Sequence, residues 1–383
     1  MYEGRYDVVM FVGGEVDNDN RVLRARSAIS ESGLSVLIVA LSKKKSRNPE
    51  FVSTVLRVAD KRCMTRRICS LLDMLRYYRA SKKILRIHRP MFVHCHDYDT
   101  LLLGMYAKKV CGAKVIYDNH EFIQDIRYLH RYPWLLRMSI AKYEMHCVKR
   151  IDGFICVSQG IAAWYSDRTS VKPIVVRNIP IRRGSEQEMS DTSIEQMLSR
   201  SCRSGKKLLL YMGNNLMRGR GLDLIIKLLN ALGEPWELHV FGDYQERAKR
   251  DLETRFMADD LADRIHINNR LPLSVILGLG KYFEFGLSLI EPIYYSYKYA
   301  LPNKLFEYIH MGIPVISTDI PEQAALIKQY NVGVIIYNGE VETAVREIRC
   351  SAYSEKNFQN AKRNLSWESE KMKLINLYDQ IMA

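Results

Sequence analysis

The sequence predicts an α/β protein made of two doubly wound, Rossmann-like domains. Short apolar runs of strand length alternate with longer helical patterns along the whole 383-residue chain, as in parallel sheets covered by helices on both faces. The length fits two domains, since soluble domains usually have about 100–200 residues. A polar segment in the middle of the chain separates two halves with the same rhythm.

The predicted boundaries are residues 1–180 for the first domain, 181–204 for a linker with room for one short helix, and 205–365 for the second domain. The first half has predicted strands at 7–12, 35–41, 91–95, 114–117, 153–157 and 174–176. The second half has predicted strands at 208–212, 237–241, 265–267, 286–290, 314–317 and 333–336. Because ligands bind beyond the carboxyl ends of such strands, two facing sheets predict a working site in the cleft between the domains.

Composition excludes several classes of protein. The apolar fraction of 47% and the charged fraction of 26% are those of a globular protein, not of a collagen-like or disordered one. No apolar stretch approaches the roughly 20 residues that cross a bilayer, and the first residues do not follow the plan of a signal peptide. The eight cysteines include no C-x-x-C pair, which favours free thiols over disulfides or a zinc site. We therefore expect a cytoplasmic protein.

Positive charge is concentrated in one stretch of the first half. Between residues 43 and 89, 15 Lys and Arg stand against 3 acidic residues. This stretch contains a predicted basic amphipathic helix, whose apolar positions are Ile68, Leu71, Leu72, Leu75, Tyr78 and Ile84. Its expected partner is an anionic surface of phospholipid, nucleic acid or a polyanionic substrate; the alternative is a core helix whose cations are merely solvated. A second cationic segment, 134–150, favours the membrane.

Polar residues follow three predicted strands of the first half. Gly13 and Gly14 after the first strand would let a ligand approach the backbone, although a plain turn explains them equally well. His94, His96 and Asp97 follow the third strand, and the run from Asp118 through Asn119 and His120 to Glu121 follows the fourth. These two clusters predict a cleft wall for a hydroxyl-rich ligand. Metal binding is the competing interpretation, but spacing offers no third ligand beside His94 and His96, and Asp97 is also a candidate helix cap.

The second half carries a predicted diphosphate site. Gly213 ends its first strand, and Gly219-Arg220-Gly221 opens the next helix, where amide groups and a guanidinium favour phosphate oxygens. Further on, Pro302 starts a helix with Asn303 and Lys304 in its first turn and Glu307 one turn later. These polar groups are predicted to meet one ligand.

The motifs LPNKLFEYIHMGIPVIST, MGNNLMRGRG, HCHD, YDNHE and VVRNIP, taken together, resemble the retaining glycosyltransferases of family four, which have the GT-B fold. The similarity extends over nearly the whole chain and is closest to enzymes of bacterial surface-polysaccharide synthesis. It implies transfer of a sugar from a nucleotide-diphosphate donor with retention of anomeric configuration, without a metal or another cofactor. It also implies that the C-terminal helix, residues 366–383, completes the first domain.

The resemblance assigns roles to single positions. Arg220 would meet the diphosphate, Glu307 the ribose and His120 the donor sugar, while Gly13 and Gly14 form the glycine-rich first loop. Lys304 would supply a further phosphate contact, and Gly213, Asn214 and Asn303 complete the donor site. Asp19 and Asp97 are candidates for acceptor contacts.

The sequence departs from the family pattern at two positions. Tyr299 stands where the family often has the first acidic residue of its pair, while Glu291 lies further upstream. Asn214 stands where the family often has an arginine, so neutralisation of the phosphates would rest on Arg220 and Lys304.

The expected partners are the nucleotide-sugar donor, a glycan or polyprenyl-linked acceptor, and an anionic membrane surface contacted through residues 43–89 on the inner face of the cell membrane. Three other functions compete with this hypothesis. They are a nucleotide-sugar epimerase of the same fold, a catalytically idle nucleotide-sugar-binding protein, and a nucleic-acid binder, although no nucleic-acid motif is present.

Overall fold

The computed structural model contains two α/β units, Met1–Arg177 with Glu370–Ala383, and Asn178–Ser369. It describes residues 5–14, 16–17, 19–42, 51–55, 65–125, 130, 132–180, 192–214, 216 and 219–383. The predicted fold class is confirmed, because each unit has one all-parallel sheet with flanking helices.

The first unit has a seven-stranded sheet in the order β3-β2-β1-β4-β5-β6-β7. The strands are β1 (Val8–Val12), β2 (Val36–Ser42), β3 (Phe51–Val55), β4 (Phe92–His96), β5 (Lys114–Asn119), β6 (Gly153–Cys156) and β7 (Ile174–Val175). Strands β1 and β4 are buried throughout, as expected of central strands covered on both faces. The strand order reverses at β1, so ligand-binding residues are expected at the carboxyl ends of β1 and β4.

Five helices connect these strands: α1 (Asn20–Glu31), α2 (Thr65–His88), α3 (Leu101–Cys111), α4 (Trp134–Val148) and α5 (Gln159–Ser166). Helix α2 confirms the predicted basic helix, but its predicted apolar stripe is wrong at Leu72 and Leu75. Tyr78 and Ile84 are half-buried, and the side chains of Ile68 and Leu71 lie outside the described part of the chain. The buried row of α2 is Asp73, Tyr77, Ser81, Leu85 and His88, whereas Leu72 and Leu75 are 47% and 46% exposed. Tertiary contacts explain why this row is buried. The hydroxyl of Tyr77 is shared between the carbonyls of Val12 and Val39, which turns the row towards the sheet.

The second unit has a six-stranded sheet in the order β10-β9-β8-β11-β12-β13. The strands are β8 (Lys207–Met212), β9 (Trp236–Gly242), β10 (Ile265–Asn269), β11 (Phe285–Ser288), β12 (Val315–Thr318) and β13 (Gly333–Ile336). Its helices are α6 (Thr192–Arg203), α7 (Leu222–Leu232), α8 (Glu246–Ala258), α9 (Leu273–Gly278), α10 (Tyr295–Lys298), α11 (Asn303–Met311), α12 (Pro321–Tyr330), α13 (Val341–Cys350) and α14 (Glu355–Asn364). One apolar core lies beneath α7 and α13, and another beneath α11, α12 and α14.

All twelve predicted strands are present, each within two residues of its predicted ends. The sequence missed β3, a five-residue strand inside the basic stretch. Residues 181–204 were predicted as a linker with room for one short helix. The structure has α6 in this range, and Leu198 of α6 is completely buried in the second core, so this part is not a linker. Residues 181–191 lie outside the described part of the chain.

The last helix, α15 (Trp367–Met382), contributes most of its length to the first unit. Tyr378 is buried against Phe92 of β4, with ring centroids 4.9 Å apart. The carboxylate of Glu370 accepts the backbone N–H of Arg177 at 2.8 Å. The units therefore divide at 177 and 369, near the predicted 180 and 365. Among the described residues, no helix combines the length and the apolar character that a membrane span needs.

Candidate functional site

A buried polar cluster lies at the carboxyl ends of β4 and β5 in the first unit. Alternation along β4 sends His94 and His96 to the same face, and the strand register places Asp118 of β5 beside His96. His120 follows directly after β5. The sequence predicted the two histidine-containing segments, and the structure brings them together.

Asp118 is the centre of this cluster. Its carboxylate accepts from the Arg21 guanidinium through Nε at 3.1 Å and through the terminal nitrogen at 2.5 Å. Its Oδ2 lies 3.7, 3.5 and 3.4 Å from ring nitrogens of His94, His96 and His120. Burial works to raise the pKa of Asp118, but the Arg21 charge and then His120 hold it well below its usual range. Asp118 is therefore a fixed negative charge.

His120 is the member of the cluster most open to a ligand. Its ring lies between two carboxylates, with Nε2 3.4 Å from Asp118 and Nδ1 3.4 Å from Asp97. Burial lowers the pKa of His120, but Asp97 and Asp118 outweigh it, so the pKa is raised. Burial lowers the pKa of both His94 and His96. Of the three imidazoles, His120 is thus the one that binds a proton most readily.

Asp97 is not the helix cap that was considered for it. Its side chain makes no capping hydrogen bond to the short helical turn that follows; its Oδ1 accepts the backbone N–H of His120 at 3.2 Å. Its backbone φ is +62°, a conformation that costs free energy in a non-glycine residue and is common at functional sites. Asp97 therefore orients His120.

The structure supplies the third potential metal ligand that spacing did not offer, because His94, His96 and Asp118 have donor atoms within 4.8 Å of one another. Two features oppose a cation there. The rings of His94 and His96 are stacked at 4.4 Å and 16°, so one ion cannot lie in both ring planes. The Arg21 guanidinium already occupies the carboxylate of Asp118. These residues do not fit a metal centre.

The predicted site residues between β1 and α1 are Gly13, Gly14 and Asp19, and each has a different environment. A Cβ atom on Gly13 would lie 1.9 Å from the carboxylate of Asp99, whereas Gly14 has open space. Burial and then Asp97 raise the pKa of Asp99 to about 7. Asp19, a predicted acceptor contact, is the N-cap of α1, and its carboxylate accepts the amides of Arg21 and Val22. This is a structural role that explains its presence.

The second unit presents two cations at the starts of two helices. Arg220 comes two residues before α7, and its guanidinium lies over the ring of Tyr297 at 4.6 Å while Nε donates to the Tyr297 hydroxyl at 3.2 Å. Lys304 is in the first turn of α11, and its ammonium lies over the ring of Tyr211 at 3.7 Å. The sequence predicted both cations but missed the two tyrosines beneath them, since neither tyrosine belongs to a recognisable motif.

The ammonium of Lys304 interacts electrostatically with both Arg220 and Glu307. Desolvation and then the Arg220 charge lower the pKa of Lys304 to about 7, while the Glu307 carboxylate acts in the opposite direction. The charges of Arg220 and Glu307 thus both act on Lys304 in the folded unit. Their charges suit an anionic group next to a polar one, because a further negative charge would relieve the repulsion between the cations.

The other residues of the second unit that the sequence analysis singled out have different environments. Asn214 is exposed, and its Oδ1 accepts the backbone N–H of Asp243 at 2.9 Å. Gly213 lies close to Gly242, where a Cβ atom would come within 2.3 Å of the Gly213 carbonyl. Asn303 is exposed at the start of α11. The Tyr299 hydroxyl donates to the Tyr295 hydroxyl at 3.3 Å.

Two family models match most of the chain. The glycosyltransferase family 4 model matches residues 20–180, and the glycosyl transferases group 1 model matches residues 206–351. No curated protein matches the chain by sequence.

Solved structures with the same fold cover nearly the whole chain. Sucrose-phosphate synthase from Thermosynechococcus elongatus has a TM-score of 0.75 at 12% identity, covering 98% of this chain and 99% of its own. Anabaena HepE in complex with UDP-glucose has a TM-score of 0.68 at 10% identity, covering 97% and 99%. WaaG, a glycosyltransferase involved in lipopolysaccharide biosynthesis, has a TM-score of 0.64 at 18% identity, covering 96% and 98%. The chain therefore belongs to the family-4-like glycosyltransferases with the GT-B fold.

Proposed function

We propose that this glycosyltransferase moves a sugar from a nucleotide-diphosphate donor to a glycan or lipid-linked acceptor with retention of anomeric configuration. The observation that carries the proposal is the placement of Arg220 just before α7 and of Lys304 and Glu307 in α11, with both other charges acting on Lys304. Helix N-termini and cations both favour phosphate oxygens, and the carboxylate suits a ribose hydroxyl. HepE has been solved with UDP-glucose, which makes a UDP-sugar the first donor to test.

In the proposed reaction the donor's C–O bond to the diphosphate breaks as the acceptor oxygen bonds to the anomeric carbon on the same face. The departing phosphate takes the acceptor's proton, so no protein nucleophile is needed. Arg220 and Lys304 stabilise the growing negative charge, each by about 2–4 kcal/mol as preorganised donors do. They provide the charge that a metal ion provides elsewhere, so we propose that catalysis needs no metal. His120 contacts the donor sugar, and Asp97 holds its ring.

Calorimetric titration with UDP, GDP, ADP, CMP and dTDP in the presence of EDTA tests the donor site. We expect one diphosphate to bind, and we expect Arg220→Ala to weaken it at least tenfold. Arg247→Ala, which changes an exposed arginine of the same unit, is the matched control. Retention is tested by the anomeric proton of the product in NMR spectra. Absence of nucleotide binding, or turnover without any acceptor as in an epimerase, would contradict the proposal.

We also propose that the enzyme binds its acceptor at an anionic membrane surface, on the inner face of the cell membrane. Helix α2 packs beside α3 and α3 beside α4, and these helices form what we call the α2–α4 layer. Its exposed apolar side chains are Leu72, Met74, Leu75, Ile87, Leu102, Val110, Trp134, Leu135, Leu136 and Met138. Its exposed cations are Arg76, Arg79, Lys83, Arg86, Lys109, Lys142, Lys149 and Arg150. Apolar side chains among cations are typical of surfaces that bind anionic lipid.

Helix α4 carries the strongest part of this surface. Trp134 and Leu135 are 63% and 61% exposed at its first turn. A groove of about 550 Å³ runs along the helix, lined by Lys142, Lys149 and Arg150 beside two methionines. Of the remaining cations in the predicted basic stretch, those from Lys43 to Arg62 lie outside the described residues, as do the side chains of Arg66 and Arg67.

Sedimentation with vesicles tests this second proposal. We expect the protein to pellet with phosphatidylglycerol vesicles at low salt and to remain in solution with pure phosphatidylcholine. Leu135→Glu should weaken binding at least tenfold, and Lys142→Gln about fivefold, since a cation near the surface contributes about 1 kcal/mol. Met257→Glu, at a 66% exposed position of the second unit, should have no effect. Equal binding to neutral and anionic vesicles would refute it.

A further inference from the structure

The chain between β11 and α10 lies directly against the turn that carries Arg220. Gly219 and Gly221 have φ of +80° and +95°, in the left-handed region that favours glycine. A Cβ atom on Gly219 would lie 2.3 Å from the side chain of Ile293, and one on Gly221 would lie 2.6 Å from that of Leu289. Contact this close means that the shape of the turn depends on the segment beneath it.

Glu291 binds the turn through two hydrogen bonds. Its carboxylate oxygen Oε2 accepts the backbone N–H of Gly219 at 2.9 Å, and its own backbone N–H donates to the Gly219 carbonyl at 3.2 Å. This carboxylate therefore acts on the protein backbone. Such a contact would explain an acidic residue at this position without any contact to a donor sugar.

Tyr297 fixes the direction of the guanidinium. The ring is 94% buried and lies beneath the Arg220 guanidinium, while its hydroxyl accepts from Nε. Tyr294 packs edge-on against the same ring at 5.3 Å and 83°, which holds its orientation. With Nε occupied and the plane set by the ring, the two terminal NH2 groups have no hydrogen-bond partner within the described part of the chain. They form the fork that binds phosphate oxygens in pairs.

We infer that Glu291 and Tyr297 are positioning residues, which hold Arg220 ready for the diphosphate of the donor. The inference rests on the proposed function. It differs from the role that an acidic residue near this position has in the family pattern, since here the carboxylate acts through the Gly219 turn. Because arginine side chains lose conformational freedom on binding, an arginine held in place before the ligand arrives binds it more tightly.

The test is a set of single and double variants, titrated with the nucleoside diphosphate that the wild type binds and with the corresponding nucleoside. Tyr297→Phe, which keeps the ring, should weaken diphosphate binding about twofold to tenfold, as loss of one hydrogen bond does. Tyr297→Leu also removes the ring and should weaken it about tenfold or more. Binding of the nucleoside, which lacks phosphates, should not change.

Glu291→Gln keeps an oxygen that accepts the Gly219 N–H, so its diphosphate affinity should stay within about threefold of the wild type. Glu291→Ala loses this acceptor and should weaken diphosphate binding as much as Tyr297→Leu does. Tyr295→Phe, at a partly exposed tyrosine of α10, is the matched control and should have no effect. Thermal unfolding of each variant shows whether it folds. If Glu291→Ala does not fold, the Tyr297 variants still test whether Arg220 is held in position.

The double variant Arg220→Ala/Tyr297→Leu separates positioning from a general structural role. If Tyr297 acts through Arg220, Tyr297→Leu should cost nothing further once Arg220 is gone. An equal loss with and without Arg220, or an equal loss of nucleoside binding, would overturn the inference while leaving the proposed function intact. If no nucleoside diphosphate binds the wild type, both the proposed function and this inference are wrong.

Discussion

At the scale of single residues, the charge of Lys304 depends on its surroundings. Desolvation and the Arg220 charge lower its pKa to about 7, so the free protein holds both neutral and protonated Lys304 at neutral pH. A bound diphosphate favours the protonated form. Nucleotide binding should therefore be accompanied by proton uptake.

Because binding takes up a proton, the diphosphate affinity is predicted to depend on pH. Below about pH 7 Lys304 is mostly protonated and adds no further pH dependence to the diphosphate affinity. Above pH 7 binding must first protonate Lys304, so the affinity should fall by up to about tenfold per pH unit, until the pH reaches the pKa that Lys304 has in the complex. Calorimetry at several pH values, in buffers of different ionisation enthalpy, measures both the affinity and the proton uptake. Lys304→Arg stays charged and should abolish the slope; an unchanged slope in Lys304→Arg would assign it to another group.

A second residue-scale prediction concerns the buried ion pair in the first unit. Arg21 is 7% exposed and Asp118 2%. Asp118→Asn leaves the guanidinium buried without its counter-charge, which should reduce the free energy of unfolding by about 3–5 kcal/mol. Urea denaturation measures this loss. Glu31→Gln, which breaks an exposed ion pair with Lys371 in the same unit, should cost less than about 1 kcal/mol. Similar losses in the two variants would contradict the prediction.

At the scale of elements, the position of α11 depends on a glycine in the sheet. A Cβ atom on Gly286 of β11 would lie 2.4 Å from the ring of Tyr308, so the helix packs where a side chain is missing. The Tyr308 hydroxyl accepts the backbone N–H of Met212 at 2.9 Å. This contact joins the helix that carries Lys304 to the end of β8.

Gly286→Ala should therefore push α11 away from β11. We expect a loss of about 1–3 kcal/mol in the free energy of unfolding, as for an overpacked core, together with weaker diphosphate binding. Denaturation and calorimetry measure the two effects. Gly14→Ala places a methyl group in open space and should cost much less. A Gly286→Ala variant with wild-type stability and affinity would refute this packing argument.

Elements also show where local patterns mislead. Strand periodicity predicted twelve of the thirteen strands found in the described ranges, since a buried parallel strand reads as an apolar run whatever surrounds it. The stripe of α2 was predicted through Leu72 and Leu75, yet these side chains are exposed and the row containing Asp73 and Tyr77 is buried. A helix with apolar residues on more than one side does not specify which side packs. The contacts of Tyr77 with β1 and β2 decide this.

At the scale of the whole molecule, the last helix completes a sheet that begins the chain. Leu374 and Tyr378 are buried, and the Tyr378 hydroxyl lies 2.8 Å from Nδ1 of His94. The first unit is therefore made of chain segments nearly 200 residues apart.

Tyr378→Ala should destabilise the first unit by about 3–5 kcal/mol, because it removes a fully buried aromatic side chain. Limited proteolysis with mass spectrometry should then find the earliest cleavages within residues 1–177, while the segment 178–369 stays resistant. Met382→Ala, at a 48% exposed position of the same helix, should behave as the wild type. Early cleavage confined to 178–369 would contradict the assignment of this helix to the first unit.

The sequence by itself determined the fold class, the two-domain organisation, the family and the cations of the predicted donor site. These features depend on local patterns: strand periodicity, glycines at turns, and residue types at fixed spacing along one helix. The tertiary structure alone decided which groups act on one another. Asp118 meets Arg21 across 97 residues, Arg220 lies over Tyr297 across 77, and Tyr378 meets His94 across 284. Such contacts follow from how strands and helices pack, and no local pattern in the chain encodes them.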